Sequence, residues 1–252
     1  MTDLNKQYRN ADNLRTRISI HQYSTNKTGF GRWIFSHYDI QAGSRILELG
    51  CGTGDMWIDQ LDLLDGGSML TLTDFSPGML ETAESTLGEH ENIRYHVVDI
   101  QSIPFADNSY DIVIANMMLY HAPDLDRALS EVRRVLRPGG RFYCATYGEH
   151  GISEYVTELL REQNIKDNLN RSFTLQNGIF SLGKHFGDVQ RLDYEDSLRI
   201  PCIEDFADYI FSMASLDGIQ SLSREELLKA LEKRTVNGML YVPKEYGMFI
   251  CR

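Results

Sequence analysis

Short apolar runs and amphipathic stretches alternate along the first 150 residues of the chain. Runs typical of buried strands cover 46–49, 69–73, 93–98, 111–116 and 141–146. Between them, apolar residues recur at helical spacing, most clearly from Leu125 to Leu136, before a stop at Arg137-Pro138-Gly139-Gly140. Strands that alternate with helices predict a parallel sheet with helices on both faces.

The pattern is less regular after residue 150. Apolar spacing predicts helices near 152–160, 175–186 and 203–213, a strand over 190–200 and a terminal strand over 246–251. Ser223 and Glu226 form a capping-box pattern that predicts the start of a helix running through Leu231. We expect the helices of 151–185 and 202–235 to cap a substrate pocket. Residues 1–20 are polar and are predicted to be helical.

A glycine cluster ends the first predicted strand. Residues 48–54 read Glu-Leu-Gly-Cys-Gly-Thr-Gly, and helical spacing from Trp57 to Leu64 predicts a helix directly after them. Glycines allow a tight turn and leave no side chain between the backbone and a ligand. The N-terminus of a helix exposes unpaired N–H groups that suit a carboxylate or a phosphate.

An acid follows the next strand. Asp74 lies 20 residues beyond Gly54, where a carboxylate can hold ribose hydroxyls. The third glycine comes one position earlier than in the dinucleotide fingerprint G-x-G-x-x-G, which disfavours a nicotinamide oxidoreductase. With these residues, the chain resembles the class I S-adenosylmethionine-dependent methyltransferases, in the branch that acts on small molecules. The resemblance is close over about 44–146 and looser on either side.

The resemblance implies a fold and a domain plan. The fold would be α/β and Rossmann-like, with a doubly wound, mostly parallel seven-stranded sheet and helical cap insertions. Its last strand would be antiparallel and inserted beside the sixth. We expect a single domain over 1–252, with an N-terminal helical lid at about 1–43, a cofactor-binding core over 44–150, and late strands with substrate-cap helices over 151–252.

The resemblance also implies which residues bind S-adenosylmethionine, whose product is S-adenosylhomocysteine. The glycine turn with Glu48 would face the amino acid part of the cofactor, Asp74 the ribose, and Phe75 and Met79 the adenine face. The implied cofactor-binding residues are Glu48, Gly50, Cys51, Gly52, Gly54, Asp74, Phe75, Met79, Asp99, Ile100, Asn116, Met117, Tyr23 and Arg32.

Each of these residues has an ordinary structural alternative. Asp74 and Asp99 could be turn residues or helix caps, although their arrival at successive strand ends after a glycine turn favours the cofactor. Met117 could fill the core, and Tyr23 and Arg32 could belong to an aromatic packing face before the first strand. Glu48 within an apolar strand would be costly to bury without a partner, so we expect it to accept hydrogen bonds.

Catalysis requires little of the protein if the reaction is methyl transfer from a sulfonium. The cofactor then supplies the electrophile, and the protein aligns the reactants and excludes water. A general base is needed only when the nucleophile arrives protonated. His121, five residues after Asn116, is the candidate base. Tyr147, Glu149 and His150 are weaker candidates, and alignment without a base is the alternative.

The composition of the chain indicates which classes of substrate and partner to expect. The chain has 25 basic and 36 acidic residues, a net charge of −11, which disfavours nucleic acid as a substrate. The four cysteines are scattered, so neither a zinc site nor a disulfide framework is predicted, and we expect no metal. The chain shows no apolar signal segment or run of transmembrane length. We expect a cytoplasmic protein with a small-molecule substrate and no membrane partner.

The leading hypothesis is therefore methyl transfer to an O, N, C or S atom of a small metabolite. Two alternatives stay open at this stage. One is methylation of a protein side chain, and the other is a binding module that retains S-adenosylmethionine without turnover. The sequence indicates neither the acceptor nor the oligomeric state.

Overall fold

The computed structural model describes residues 19–163, 165–213 and 215–252. The helix predicted for residues 1–20 lies almost entirely outside the described residues.

Nine strands are described. They are β1 (Arg45–Leu49), β2 (Met69–Asp74), β3 (Ile93–Val97), β4 (Tyr110–Asn116), β5 (Leu136–Tyr147), β6 (Lys166–Asp167), β7 (Val189–Ile200), β8 (Leu216–Asp217) and β9 (Leu240–Cys251). Seven of them form one sheet in the order β3-β2-β1-β4-β5-β9-β7, and β6 pairs with β8.

The described α-helices are α1 (Phe30–Phe35), α2 (Pro77–Leu87), α3 (Leu125–Val135), α4 (Ile152–Leu159), α5 (Gly178–Leu182), α6 (Ile203–Ser212) and α7 (Arg224–Glu232). Short 3-10 turns occur at Ile20–Tyr23, Asp55–Trp57, Leu61–Leu64, Leu119–His121, Arg161–Gln163 and Ile219–Ser221. The predicted capping box is present, because the side chains of Ser223 and Glu226 each accept a hydrogen bond from the other residue's backbone amide.

The strand arrangement confirms the predicted fold class. β1 lies between β2 and β4 and is parallel to both, and β3 and β5 continue the parallel sheet on either side. β9 is inserted between β5 and β7. The amide of Arg252, directly after β9, donates to the carbonyl of Asp188, directly before β7. The end of β9 therefore meets the start of β7, as antiparallel strands require.

The predicted helix after the glycine cluster is wrong. The structure has two 3-10 turns there, Asp55–Trp57 and Leu61–Leu64. Trp57 and Leu64 are buried as the spacing indicated, but Ile58 is 51% exposed. Aspartate is a poor helix former because its side chain competes for backbone groups. Four aspartates interrupt this segment, namely Asp55, Asp59, Asp62 and Asp65.

Three other elements differ from the prediction by more than one residue. β5 begins at Leu136, so the predicted stop at 137–140 lies inside the strand, where its register with β4 shifts. β9 starts at Leu240, and α5 covers only Gly178–Leu182. The register shift between Leu136 and Arg141 accommodates the extra residues of β5 without ending its pairing with β4.

The described chain divides into two compact units. The sheet unit comprises Phe30–Tyr147, Arg171–Tyr194 and Gly247–Arg252; the helical unit comprises the chain up to Gly29, Gly148–Asn170 and Glu195–Tyr246. Each unit has its own apolar core. The assignment of the whole chain to a single domain stays a prediction.

The core of the sheet unit lies on both faces of the sheet. Leu47 and Leu49 of β1 pack in a cluster with Val132 of α3, whereas Ile46 packs with Trp57 in a second cluster. Successive strand residues point to opposite faces, so Glu48 shares the face of Ile46. The helical unit has a third cluster, which includes Val156, Leu198, Phe206, Ile210, Leu227, Leu231 and Val242.

Candidate cofactor site

The glycine turn after β1 combines an open surface with a tightly packed one. Gly50, Gly52 and Gly54 all have positive φ, at 72°, 57° and 75°. A Cβ on Gly52 would meet no atom within 4 Å, whereas one on Gly54 would lie 3.2 Å from the Cβ of Ala83 in α2. Gly54 thus allows α2 to pack against the turn, and Gly52 leaves room for a ligand.

The Asp74 carboxylate is fixed against this turn. Its Oδ2 accepts a hydrogen bond from the Gly52 amide at 3.0 Å, and its Oδ1 accepts one from the Ser76 amide at 2.8 Å. Each carboxylate oxygen can accept a further hydrogen bond. Asp74 is partly exposed, so both oxygens can also serve a ligand's hydroxyl groups.

Exposed apolar side chains follow at the ends of β2 and β3. Phe75 is 70% exposed, and Val97, the register partner of Asp74, is 54% exposed. Met79, in the first turn of α2, is partly buried. An exposed ring beside a fixed carboxylate suits a ligand that joins an aromatic base to a sugar.

Asp99 and Ile100 follow β3. The Asp99 carboxylate accepts hydrogen bonds from the backbone amide of Gln101 at 2.9 Å and from its side chain at 3.1 Å. This turn holds the carboxylate in place while it stays partly exposed. Ile100 is only 6% exposed and packs in the same apolar cluster as Leu47. Its predicted place beside the adenine ring stays a prediction.

Glu48 is a buried carboxylate without a cationic partner among the described residues. It is 3% exposed, and the indole Nε1 of Trp57 donates to its Oε2 at 2.5 Å. Burial raises the pKa of Glu48 to about 7, although hydrogen bonds from the Trp57 and Asn116 side chains oppose the shift. A site that can neutralise this charge with a ligand's cation would relieve the desolvation penalty.

Asn116 lies near Glu48 at the end of β4. It is 8% exposed, and its Nδ2 donates to the Tyr38 hydroxyl at 2.7 Å. Its Oδ1 is buried and has no hydrogen-bond partner in the part of the chain that the structure describes. Met117, the next residue, has a φ of 54°, which is unusual for a residue with a side chain and marks a strained strand end.

Two residues at this site were not predicted as ligand contacts. A Cβ on Gly50 would lie 2.9 Å from the Cγ of Met118, so Met118 borders the glycine turn. Its position two residues after the end of β4 was a usable signal. Tyr38 is 78 residues from its partner Asn116, and no local pattern in the sequence connects the two.

His121 lies in the 3-10 turn Leu119–His121. Burial lowers the pKa of His121, and the negative charge of Asp74 partly opposes that shift. The two side chains are therefore within electrostatic reach of each other. The imidazole is neutral at neutral pH and can accept a proton. Its ring packs against Tyr120, with the ring centroids 4.5 Å apart.

Tyr23 and Arg32, the predicted contacts from the N-terminal segment, belong to different units. In the helical unit the Tyr23 hydroxyl donates to the Asp205 carboxylate, and this bond raises the pKa of Tyr23 to about 12. In the sheet unit the Arg32 side chain is 77% exposed and lies 3.9 Å from Asp59. Arg32 also lines a cavity of about 300 Å³ with Tyr38, but the glycine turn does not border that cavity. Both assignments to the cofactor stay predictions.

The described residues contain no group of three His, Cys, Asp or Glu side chains placed to hold a metal ion. Across the same ranges, none of the helices combines the length and apolar character needed to cross a membrane.

Comparison with known proteins identifies a matching family model and similar proteins. Residues 47–144 match the family model described as a methyltransferase domain. The demethylmenaquinone methyltransferase of Staphylococcus epidermidis is 35% identical over 133 residues, which are 53% of this chain and 54% of that protein. The Staphylococcus aureus enzyme of the same name is 32% identical over 142 residues, 56% of each chain. The matched region thus spans about half the length of these relatives.

Solved structures show the same fold over more of the chain. YcgJ from Bacillus subtilis superimposes with a TM-score of 0.58 at 22% identity, covering 87% of this chain and 95% of that one. The [4+2]-cyclase SpnF superimposes with a TM-score of 0.53 at 19% identity, covering 88% and 79%. Because one of these proteins is named as a cyclase, the fold alone does not establish the reaction.

The glycine turn and the acids at successive strand ends form the arrangement expected of a nucleotide-type cofactor site in an α/β protein. Together with the family match, they identify residues 47–144 as a class I S-adenosylmethionine-dependent methyltransferase domain. The resemblance inferred from residues 48–54 and Asp74 is confirmed.

Proposed function

We propose that the protein transfers a methyl group from S-adenosylmethionine to a small-molecule acceptor. The arrangement of Asp74 supports this most strongly, because the Gly52 amide fixes its carboxylate at 3.0 Å beside an open glycine turn. S-adenosylmethionine supplies the methyl group on a sulfonium, which is the electrophile. The protein then has to hold the cofactor, align the acceptor and exclude water.

The residues fit such a cofactor part by part. Asp74 would accept from the ribose hydroxyls, and the exposed ring of Phe75 would cover one face of the adenine, with Met79 behind it. Asp99 would accept from the adenine amino group. The buried carboxylate of Glu48 and Oδ1 of Asn116, which has no partner among the described residues, would accept from the ammonium of the amino acid part. The remaining contacts would come from the turn amides of Gly50, Cys51, Gly52 and Gly54 and from Met117.

The acceptor is a separate question. The relatives named as demethylmenaquinone methyltransferases support a small-molecule acceptor. Because these relatives carry that name, a short-chain demethylmenaquinone is the first acceptor to assay. We expect the late part of the chain, 151–252, to contribute the acceptor-binding residues.

His121 is our candidate for a general base. Its lowered pKa keeps the imidazole neutral and able to accept a proton. If it acts as a base, His121→Ala should lower kcat by about 10²- to 10⁴-fold and leave the Kd for the cofactor unchanged. Full turnover by a folded His121→Ala variant would leave alignment alone as the catalytic contribution.

Calorimetric titration tests the function directly. S-adenosylmethionine and S-adenosylhomocysteine should each bind with a Kd on the order of micromolar, about −8 kcal/mol, and NADH should not bind. Transfer of a labelled methyl group to the acceptor then separates an enzyme from a module that only binds. Failure of both sulfur compounds to bind would overturn the proposal.

A further inference from the structure

Tyr38 occupies an unusual place beside the candidate cofactor site. It follows α1 and precedes β1, and its ring packs between Phe35 and Tyr143, with centroid distances of 5.1 and 4.9 Å. Its hydroxyl group accepts a hydrogen bond from Nδ2 of Asn116 at 2.7 Å. Burial raises the pKa of Tyr38 well above its usual range, so the hydroxyl stays protonated.

The contacts around Asn116 determine which way its amide faces. Nδ2 donates to the Tyr38 hydroxyl and lies 3.8 Å from the Met56 sulfur, and a hydrogen bond from the same side chain lowers the pKa of Glu48. A rotation of the amide by half a turn would take Nδ2 away from the Tyr38 hydroxyl and turn Oδ1 toward Glu48. The observed orientation directs Nδ2 to these acceptors and leaves Oδ1 as a buried acceptor without a partner among the described residues.

We propose that Tyr38 is a positioning residue: its hydroxyl anchors the Asn116 amide so that Oδ1 is presented, next to Glu48, to a hydrogen-bond donor on the ligand. Oδ1 of Asn116 and the Glu48 carboxylate are two neighbouring acceptors. An ammonium group is the ligand donor that best suits such a pair. This inference rests on the proposed function, because the amino acid part of S-adenosylmethionine carries that group.

The chain offers a conservative variant and a matched control. Tyr38→Phe removes the anchor and keeps the packed ring. Tyr143→Phe removes a phenol hydroxyl from the neighbouring ring; that hydroxyl accepts from the Asp39 amide at 3.1 Å and makes no hydrogen bond to Asn116. Two ligands complete the comparison. S-adenosylhomocysteine carries the amino acid part, and 5′-methylthioadenosine shares the adenosine and the sulfur but lacks the ammonium.

Calorimetry on the four combinations of variant and ligand tests the proposal. Tyr38→Phe should raise the Kd for S-adenosylhomocysteine about 3- to 10-fold and leave the Kd for methylthioadenosine within about twofold. Tyr143→Phe should leave both Kd values within about twofold. An equal change for both ligands in Tyr38→Phe, or no change for either, would overturn the positioning role.

The side-chain amide gives a second readout that packing alone would not change. In ¹H–¹⁵N spectra the Asn116 Nδ2 resonances, assigned by their loss in Asn116→Ser, should shift in Tyr38→Phe and stay in place in Tyr143→Phe. Unshifted resonances in Tyr38→Phe would contradict the anchor. If the wild-type protein binds neither ligand, the proposed function fails as well; if it binds both and only the selectivity change is missing, the role of Tyr38 alone fails.

Discussion

Glu48 and Asp196 are both buried carboxylates, but their surroundings differ. The Asp196 side chain is fully buried, and it is paired with Lys244, whose side chain is only 4% exposed. Its other oxygen accepts from the Asn26 amide at 3.0 Å and from the Ser197 amide at 2.8 Å. Burial raises the pKa of Asp196, but the hydrogen bonds from Asn26 and Lys244 outweigh burial and leave the pKa below its usual value.

Glu48 has no such compensation. Two neutral donors, Trp57 and Asn116, reach it, and burial still raises its pKa to about 7. A buried carboxylate with a full set of partners belongs to the architecture of its unit. A buried carboxylate whose charge is not compensated by its neighbours is a candidate for binding a ligand's cation. The comparison therefore separates a structural charge in the helical unit from a functional one in the sheet unit.

Removing the cation of the satisfied pair should have the largest effect. Lys244→Met leaves Asp196 buried without its cation, and we expect a loss of about 3–5 kcal/mol in the free energy of unfolding, measured by urea denaturation. The matched control is Lys229→Met, because the Lys229–Glu225 pair is exposed, at 64% and 79%, and that variant should lose at most about 0.5 kcal/mol.

A second change tests whether the cost comes from the unpaired charge. Adding Asp196→Leu to Lys244→Met removes both charges, and the double variant should recover most of the lost stability. If Lys244→Met is no more destabilising than Lys229→Met, Asp196 is not a structural charge and the comparison with Glu48 breaks down.

The next largest effect concerns the sheet unit. Asp74→Ala should weaken S-adenosylhomocysteine binding by about 2–4 kcal/mol, roughly 30- to 1,000-fold in Kd, because two hydrogen bonds from ribose to a charged acceptor are lost. Asp193→Ala removes an exposed carboxylate of the same unit, 61% exposed, and should leave the Kd unchanged. An unaltered Kd in folded Asp74→Ala would remove Asp74 from the site.

Local sequence patterns were enough to predict the strands and turns that position this site. β1, its glycine turn and the acid after β2 are neighbours in sequence, and their apolar runs and turn residues carry the signal. The helix predicted after the turn failed because apolar spacing identifies which residues are buried, not how the backbone between them is wound. Trp57 and Leu64 are buried as predicted, although the Asp-rich segment forms 3-10 turns.

The polar networks could not be predicted, because their members are distant in sequence. Tyr38 and Asn116 are 78 residues apart, and Lys244 is 48 residues from Asp196 and 220 from Ser24, which it also contacts. The partners of a buried polar group depend on tertiary packing, which periodicity does not encode. The sequence therefore indicated that Glu48 needs partners but not which ones it has.

The pH dependence of stability gives the smallest effect and the most direct contrast between the two carboxylates. In the unfolded chain Glu48 ionises near its ordinary value of 4.5, whereas in the folded protein it holds its proton up to about pH 7. The folded state therefore binds more protons in this window, and the free energy of unfolding falls as pH rises from about 4.5 to about 7. Relative to Glu48→Gln, the wild type should lose roughly 1–3 kcal/mol over that range.

Asp196 should show the opposite sign. Its pKa is depressed on folding, so its stabilising contribution is present above its ordinary value of 3.8 and is lost as pH falls through the lower folded value. Binding of S-adenosylhomocysteine should strengthen as pH rises through 7 in the wild type and stay flat in Glu48→Gln, because only ionised Glu48 attracts an ammonium. Parallel pH profiles of S-adenosylhomocysteine binding for the wild type and Glu48→Gln would show that neighbouring residues compensate the charge of Glu48, as they do for Asp196, and that a ligand does not.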